Sequence, residues 1–497
     1  MALRTVISSR IPMVIILGAT GTGKTKLSLE LAQRFEAEII NADSMQVYKG
    51  LDIVTAKATP QEREKAPHHL LDILEPHQMF TVVDFRNRAL KIIEDLIDQG
   101  KIPLIVGGTN YYIESVVYNI LVEEMNDYDS LLWDQSRRKR DYPDSEHNQE
   151  VEAKRTQTDG NKDQIQATTS DKKETDERPN ANKSFTIEQG LETNGKIDII
   201  TKEQLQKDVD VEYTFNNEEI HAKLKAIDPA MAGRLHPNNR RKVLRAIEVW
   251  LKTGKRHSEI LEQQKQTEGQ LRKPGSTVIL WLKCEQNVHH ERLDKRVDTM
   301  IEEGLIKELL DFHARHNKQR IEDGKPPDYT KGIFQTLGFK EFHNYLMLSE
   351  EERNSETGQK LLEQSIKCMK LATRRYARRQ TKMVRGRFLE HPAREIPPIY
   401  ELDTTDLTLW DELVTKKAIH IIDSYMNGTP CDYTTATVTI DEEKKKIDGN
   451  SYNYCEVCNR VMIGDNVYAI HLKSFRHMRV LKKKKQIQPS LAADNLE

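Results

Sequence analysis

The chain has 497 residues, 37% hydrophobic and 31% charged; that length suits several domains, and the apolar share is low enough that part of the chain should bury nothing. Lys+Arg at 76 against Asp+Glu at 78 gives a net charge of -2, which excludes a uniformly basic nucleic-acid binder but not a locally basic one. Five cysteines exclude a disulfide scaffold and no run reaches the roughly 18 apolar residues of a membrane helix, so a soluble protein of a reducing compartment is expected.

Residues 1–12 carry Arg4, Arg10, three hydroxyl side chains and no acid, a composition that fits a very short mitochondrial presequence and an ordinary N-terminus equally well. Residues 13–17 are an apolar run of strand length followed by a Gly-rich turn. Residues 24–35 have helical spacing, with Leu27, Leu31 and Phe35 on one face. A short strand at Ile39 and Ile40 ends at Asp43. A helix follows over 85–97, then a buried strand over 102–106 closed by Gly107 and Gly108. Strands alternating with helices predict an α/β fold, a parallel sheet with helices on both faces, and a Gly-Ala-Thr-Gly-Thr-Gly-Lys-Thr turn over 18–25 makes that sheet P-loop NTPase-like.

The pattern stops at Trp133. From 134 to 188 only five of 55 residues are Val, Ile, Leu, Met, Phe, Trp, Tyr or Cys, too few to offset the entropy of ordering them. A disordered insertion over 134–211 is expected. Helical spacing returns over 220–227 and 240–251, a strand over 278–282, and helices dominate to about 388. The expected domains are a core of 12–127 and 270–427, a helical insertion domain of 128–269, a linker of 428–450, a small module of 451–481 and a flexible tail of 486–497.

Gly18-Ala19-Thr20-Gly21-Thr22-Gly23-Lys24-Thr25 fits G-x-x-x-x-G-K-[ST] between a strand and a helix, the context that marks a P-loop. Its amides wrap phosphate oxygens, Lys24 adds a positive charge and Thr25 a hydroxyl for Mg²⁺. The motif identifies a polyphosphate or pyrophosphate ligand, not the reaction. Asp43-Ser44-Met45-Gln46-Val47-Tyr48 lies at the carboxyl end of the second strand, where open parallel sheets bind ligands. Asp43 there could hold Mg²⁺ or take a proton, and a helix-capping role for Asp43 or Ser44 fits the spacing as well. Gly107-Gly108-Thr109-Asn110-Tyr111-Tyr112 follows a third strand; alone it reads best as a turn, though the Thr109 hydroxyl could bind a phosphate oxygen.

In this order and spacing the three motifs resemble the tRNA dimethylallyltransferase (tRNA isopentenyltransferase) family. Further segments strengthen the resemblance: His68 to Asp72, Phe80 to Phe85, Leu235 to Glu248, Arg296 to Met300, Gln335 to Glu341 and Thr373 to Gln380. It covers about residues 12–133 and 212–390. It implies transfer of a dimethylallyl group from its pyrophosphate to N6 of the adenosine just 3′ of a tRNA anticodon, by a monomer whose partner is the anticodon stem-loop. It also implies that the P-loop holds the donor pyrophosphate with Mg²⁺, through Lys24, Thr25, Thr109, Lys242 and Arg245. Asp43 would accept the N6 proton, and Ser44, Met45 and Gln46 would contact the extruded base. The chain departs from the family at Ala19, where Pro is usual, at Lys242, where many members carry Arg, and at Met383, often Trp. Lys242 keeps the charge but not bidentate phosphate binding.

Residues 373–387 contain seven Lys/Arg and no acid. On a helix Arg374, Arg378 and Arg385 share one side, and Arg375, Arg379 and Lys382 another. A solvated charged face is the ordinary meaning of such a run. With no acid within the run, and with the family placing this segment and Gln380 beside tRNA, phosphate contact is the expectation. At the C-terminus Cys455-x2-Cys458-x12-His471-x5-His477 suits tetrahedral Zn²⁺. The finger resembles the matrin or U1 type of RNA-associated proteins, a small ββα module, and is expected to add tRNA affinity or localisation. Lys482 to Lys485 could also serve as a nuclear localisation signal. Other classes remain open on the motifs alone: a P-loop small-molecule kinase, an RNA-binding protein without catalysis, and a prenyltransferase of free adenylate. A cytoplasmic and mitochondrial protein, with the nucleus as a further destination, is the expected location.

Overall fold

The computed structural model describes residues 11–119, 191–193, 196–198, 202–210, 214–264, 269–317, 329, 332–391, 394–437, 452–458 and 460–482. The chain divides into two compact units, Met1–Asp144 with Thr267–Thr439, and Ser145–Gln266 with Ile440–Glu497.

The first unit is built on a six-stranded sheet: β1 (Met13–Gly18), β2 (Glu38–Asn41), β3 (His68–His69), β4 (Pro103–Val106), β5 (Thr277–Lys283) and β6 (Ile399–Asp403). Their order is β3-β2-β4-β1-β5-β6, and every pairing is parallel. Ile15 of β1 lies opposite Ile105 and Ile279. With both faces covered, β1 is buried along its whole length, so it reads as an uninterrupted apolar run rather than an alternating one. β3 and β6 were not expected. β3 has two half-buried histidines and no pattern to detect.

Helices α1 (Lys24–Phe35), α2 (Val82–Asp98) and α3 (Asn110–Val117) follow β1, β3 and β4. Those labelled α4 (Gln286–Glu302) and α5 (Glu356–Val384) come later in the chain. α2 starts three residues before its apolar periodicity because Thr81 and Asp84 form a reciprocal capping box. A second core in this unit, including Val47, Tyr48, Val54, Phe312, Phe339 and Met369, packs the chain after Asp43 against later helices. The stretch expected to open a linker at 428 stays on the sheet: the Ala436 amide donates to Ile399 O at 2.7 Å.

In the second unit the helices Asn217–Ile227 and Arg240–Thr253 share a core of Ile220, Leu224, Val243, Ile247 and Trp250. The helix Lys202–Asp210 lies inside the segment expected to be disordered, and its Leu205 is fully buried in that core. Two apolar residues one turn apart, Leu205 and Val209, suffice where neighbouring helices supply the rest of the core, whereas average composition hides them. Leu191–Thr193 and Lys196–Asp198 also pair as antiparallel strands. Residues 134–190, the presequence stretch 1–10 and the tail 486–497 lie outside the described residues. The C-terminal segment is a ββα module of Tyr452–Cys455, Arg460–Ile463 and Asp465–Leu472.

Candidate active site

β2, β4 and β1 are neighbours in the sheet, so the loops leaving their carboxyl ends lie side by side, where open parallel sheets place ligands. These are the Asp43 loop, the Gly107–Gly108 turn and the P-loop. With α4 and α5 they line a cavity of about 740 Å³. Thr20, Gly21, Gly23, Lys24, Thr25, Asp43, Ser44, Met45 and Gln46 all face it, joined by Arg296 from α4 and by Arg375, Tyr376 and Arg379 from α5.

The loops approach so closely that side chains are excluded. A Cβ on Gly107 would stand 2.2 Å from Ala42 O, and one on Gly108 2.1 Å from Gln380 Nε2. Gly23, the α1 cap, is left-handed at φ +92° and lies against the Trp410 ring. The P-loop frame closes on one carbonyl: Ala19 O accepts from Thr22 Oγ1 at 2.9 Å and from Lys24 Nζ at 2.9 Å.

Loss of water around Lys24 lowers its ammonium to about 8; Arg296 adds to the shift and Asp43 opposes it. Burial raises the Asp43 carboxyl above its ordinary value, against the Met45 amide, Lys24 and the Gln46 amide. Met45 N–H donates to Asp43 Oδ1 at 2.9 Å. Arg296 is lowered by burial as well. The Asp43 carboxylate thus shares a partly dehydrated space with cations, which suits an anionic ligand and a proton transfer.

Three expected site residues are held by contacts within the protein, Gln46 and Gln380 while lining the cavity. Gln380, expected at tRNA, is buried, and both ends of its amide are engaged: Thr20 N–H donates to Oε1 at 2.9 Å, and Nε2 donates to Gly108 O at 3.1 Å. Thr109 does not line the cavity; its hydroxyl accepts from Ser44 N–H at 3.0 Å and donates to Ser44 Oγ at 3.2 Å. Gln46 Nε2 donates to the Thr55 and Ala56 carbonyls at 2.9 and 3.1 Å.

Sequence patterns assigned no site role to Arg296, which they placed only within a segment of the resemblance, and missed Lys57. The Lys57 ammonium donates to Tyr48 O, Gly50 O, Asp52 and Asp72 at 2.7, 2.9, 2.7 and 2.5 Å. It staples a loop in which Leu51 and Ala56 hold φ of +55° and +51°, a strained backbone that non-glycine residues adopt only where surroundings enforce it.

The basic segment is partly balanced by acids: Arg374 Nε donates to Asp294 of α4 at 2.8 Å and Arg387 pairs with Glu114 of α3, while Arg385 lies 3.5 Å from Glu390 at the end of its own turn. Arg378 and Lys382 are exposed. In the second unit, Lys242 and Arg245 lie on the helix Arg240–Thr253, with Arg245 3.8 Å from Glu248. The ligand atoms of Cys455, Cys458, His471 and His477 all lie within 4.8 Å of one another. His477 Nδ1 is 3.5 Å from each sulfur and 3.2 Å from His471 Nε2.

The IPP transferase family model matches residues 46–193 and 186–387. The tRNA dimethylallyltransferase of Mus musculus is 38% identical over 484 residues, 96% of this chain and 87% of that protein. Its counterpart from Saccharomyces cerevisiae is 30% identical over 95% of this chain and 92% of its own length. A crystal structure of a eukaryotic dimethylallyltransferase acting on tRNA superposes with a TM-score of 0.68 at 29% identity, covering 98% of this chain and 100% of that one. The chain belongs to the IPP transferase family, the tRNA dimethylallyltransferases.

Proposed function

We propose that the protein transfers the dimethylallyl group of dimethylallyl pyrophosphate to N6 of the adenosine immediately 3′ of a tRNA anticodon, releasing pyrophosphate. The observation that carries this is a cavity lined together by the Asp43 carboxylate, the P-loop lysine that interacts with it, and Arg296. The allylic C–O bond breaks, its electron pair leaves with the pyrophosphate, a C–N bond forms at N6, and the N6 proton passes to Asp43. Charge builds on the leaving oxygens, and donors fixed in a partly dry site stabilise it. Lys24, Arg296 and the P-loop amides supply these donors, with Thr109 as a further candidate. Thr109 would have to exchange its bond to Ser44 for one to phosphate.

Thr25 is a hard oxygen donor on the cavity, and its hydroxyl fits Mg²⁺ completed by phosphate oxygens and water. The ion would neutralise charge on the leaving group. The target base must be extruded from its stack to enter, where Gln46 and its neighbours Ser44 and Met45 hold it. Arg375, Arg378, Arg379, Lys382 and Arg385 take anticodon-stem phosphates. The Cys/His cluster has separations close to the edges of about 3.3–3.8 Å of a tetrahedral Zn²⁺ site, and we assign it a structural zinc. We place the enzyme, as a monomer, in the cytosol and mitochondria, and the lysines after the finger make the nucleus a further destination. No described helix is long and apolar enough to cross a membrane.

Labelled dimethylallyl pyrophosphate offered with tRNA or with AMP tests the reading. Label at N6 of the tRNA adenosine supports it; label on AMP alone, or release of phosphate from ATP with no transfer, overturns it.

A further inference from the structure

Tyr111 is 52% exposed, while its neighbours Tyr112 and Ile113 are buried. Its ring is nevertheless held. The Arg387 guanidinium lies 3.7 Å from the ring centroid. Arg387 is itself fixed by Glu114, whose side chain is only 3% exposed and also pairs with Arg394 at 2.5 Å. Two guanidinium groups on one buried carboxylate leave little freedom to either. One face of the Tyr111 ring is therefore backed by an immobilised cation, and the ring stays open to solvent.

We propose that Tyr111, backed by Arg387, is a stacking platform for a nucleobase flanking the adenosine that enters the cavity; this rests on the transferase reading above. Extruding that adenosine strips the stacking partner from an adjacent base, and an aromatic ring that is already ordered can replace it at small entropic cost. The position fits. Gly107 and Gly108 line the cavity, and Tyr111 follows them in the first turn of α3. Asn110 Nδ2 donates to Gln380 O of α5 at 3.1 Å, joining this turn to the helix whose Arg375 and Arg379 line the same cavity. An open aromatic ring backed by a guanidinium matches a nucleobase better than an apolar protein surface.

The test uses the full-length protein and an anticodon stem-loop RNA carrying 2-aminopurine at one loop position at a time. Stacking should quench one position flanking the target adenosine when the unsubstituted protein binds. Tyr111→Ala and Tyr111→Leu should abolish that quenching and raise Kd for RNA roughly 5- to 100-fold, with KM for dimethylallyl pyrophosphate and the thermal midpoint unchanged. Tyr111→Phe and Tyr111→Trp should retain the quenching. Unaltered quenching and affinity in Tyr111→Leu would overturn the platform, and so would a loss in Tyr111→Phe equal to that in Tyr111→Ala. If quenching depends on the ring but the unsubstituted protein moves no label to RNA, the platform stands and the transferase reading falls.

Discussion

The Thr20 amide donates to Gln380 Oε1 at 2.9 Å, a bond that spans 360 positions of sequence. Through the other end of its amide Gln380 holds the Gly108 carbonyl, so one buried side chain sets the spacing between the P-loop and the turn after β4.

Gln380→Leu leaves the part-buried Thr20 N–H and the buried Gly108 carbonyl without that partner, at a cost of about 1–3 kcal/mol. The expected outcome is a lower thermal midpoint and a higher KM for the pyrophosphate donor. An unchanged midpoint together with weaker RNA binding would return Gln380 to the tRNA-binding surface that its sequence context suggested.

Asp43→Asn should lower kcat by about 10²–10⁴-fold if Asp43 is the base. Because burial raises its pKa, the activity of the parent should fall on acidification from a point above the ordinary carboxylate range. Lys24, lowered to about 8, should set an alkaline limb near that pH that is absent in Lys24→Arg. The stability effect has the opposite sense. A raised carboxyl favours the fold while neutral, and that contribution is lost as pH rises through the raised value. Asp43→Asn should therefore be more stable than the parent at neutral pH and equal to it in acid, measured by thermal unfolding.

The three sheet loops were legible in the sequence because each joins an apolar run to residues with a fixed chemical duty: the P-loop, Asp43, Gly107 and Gly108. Strand order was not legible, since it depends on pairings such as Ile15 with Ile279 across the insertion. The site role of Arg296 and the loop role of Lys57 were not legible for a related reason: they lie in partners distant in sequence or in carbonyls, which carry no sequence signal. The charge of 373–387 was legible, but its neutralisation was not, because Asp294 and Glu114 come from other helices.

That neutralisation separates two groups of arginines. Neutralising Arg375 and Arg379, exposed residues that line the cavity, should weaken tRNA binding and reduce the slope of log K against log[salt] by about 0.7–0.9 for each phosphate that is no longer neutralised. Arg374→Gln should instead lower the thermal midpoint by removing the partner of Asp294, with little change in slope. Equal slopes for the parent and the Arg375/Arg379 double variant would reassign those two arginines to packing or solubility.

The finger separates affinity from chemistry. So small a ββα module has too little core to fold alone, and its apolar Val467, Ile470 and Phe475 are exposed, so its order depends on whatever links Cys455, Cys458, His471 and His477. Chelation should release one Zn²⁺ per chain and melt these residues without unfolding the six-stranded sheet, as read by amide exchange. The cavity groups all belong to the first unit, whose described residues end at 437. Truncation after about residue 440 should therefore keep kcat near that of the full chain while raising KM for tRNA. A truncated protein that keeps its tRNA affinity but loses kcat would show that the finger contributes to the chemical step, and the zinc site would then belong to catalysis rather than to RNA capture.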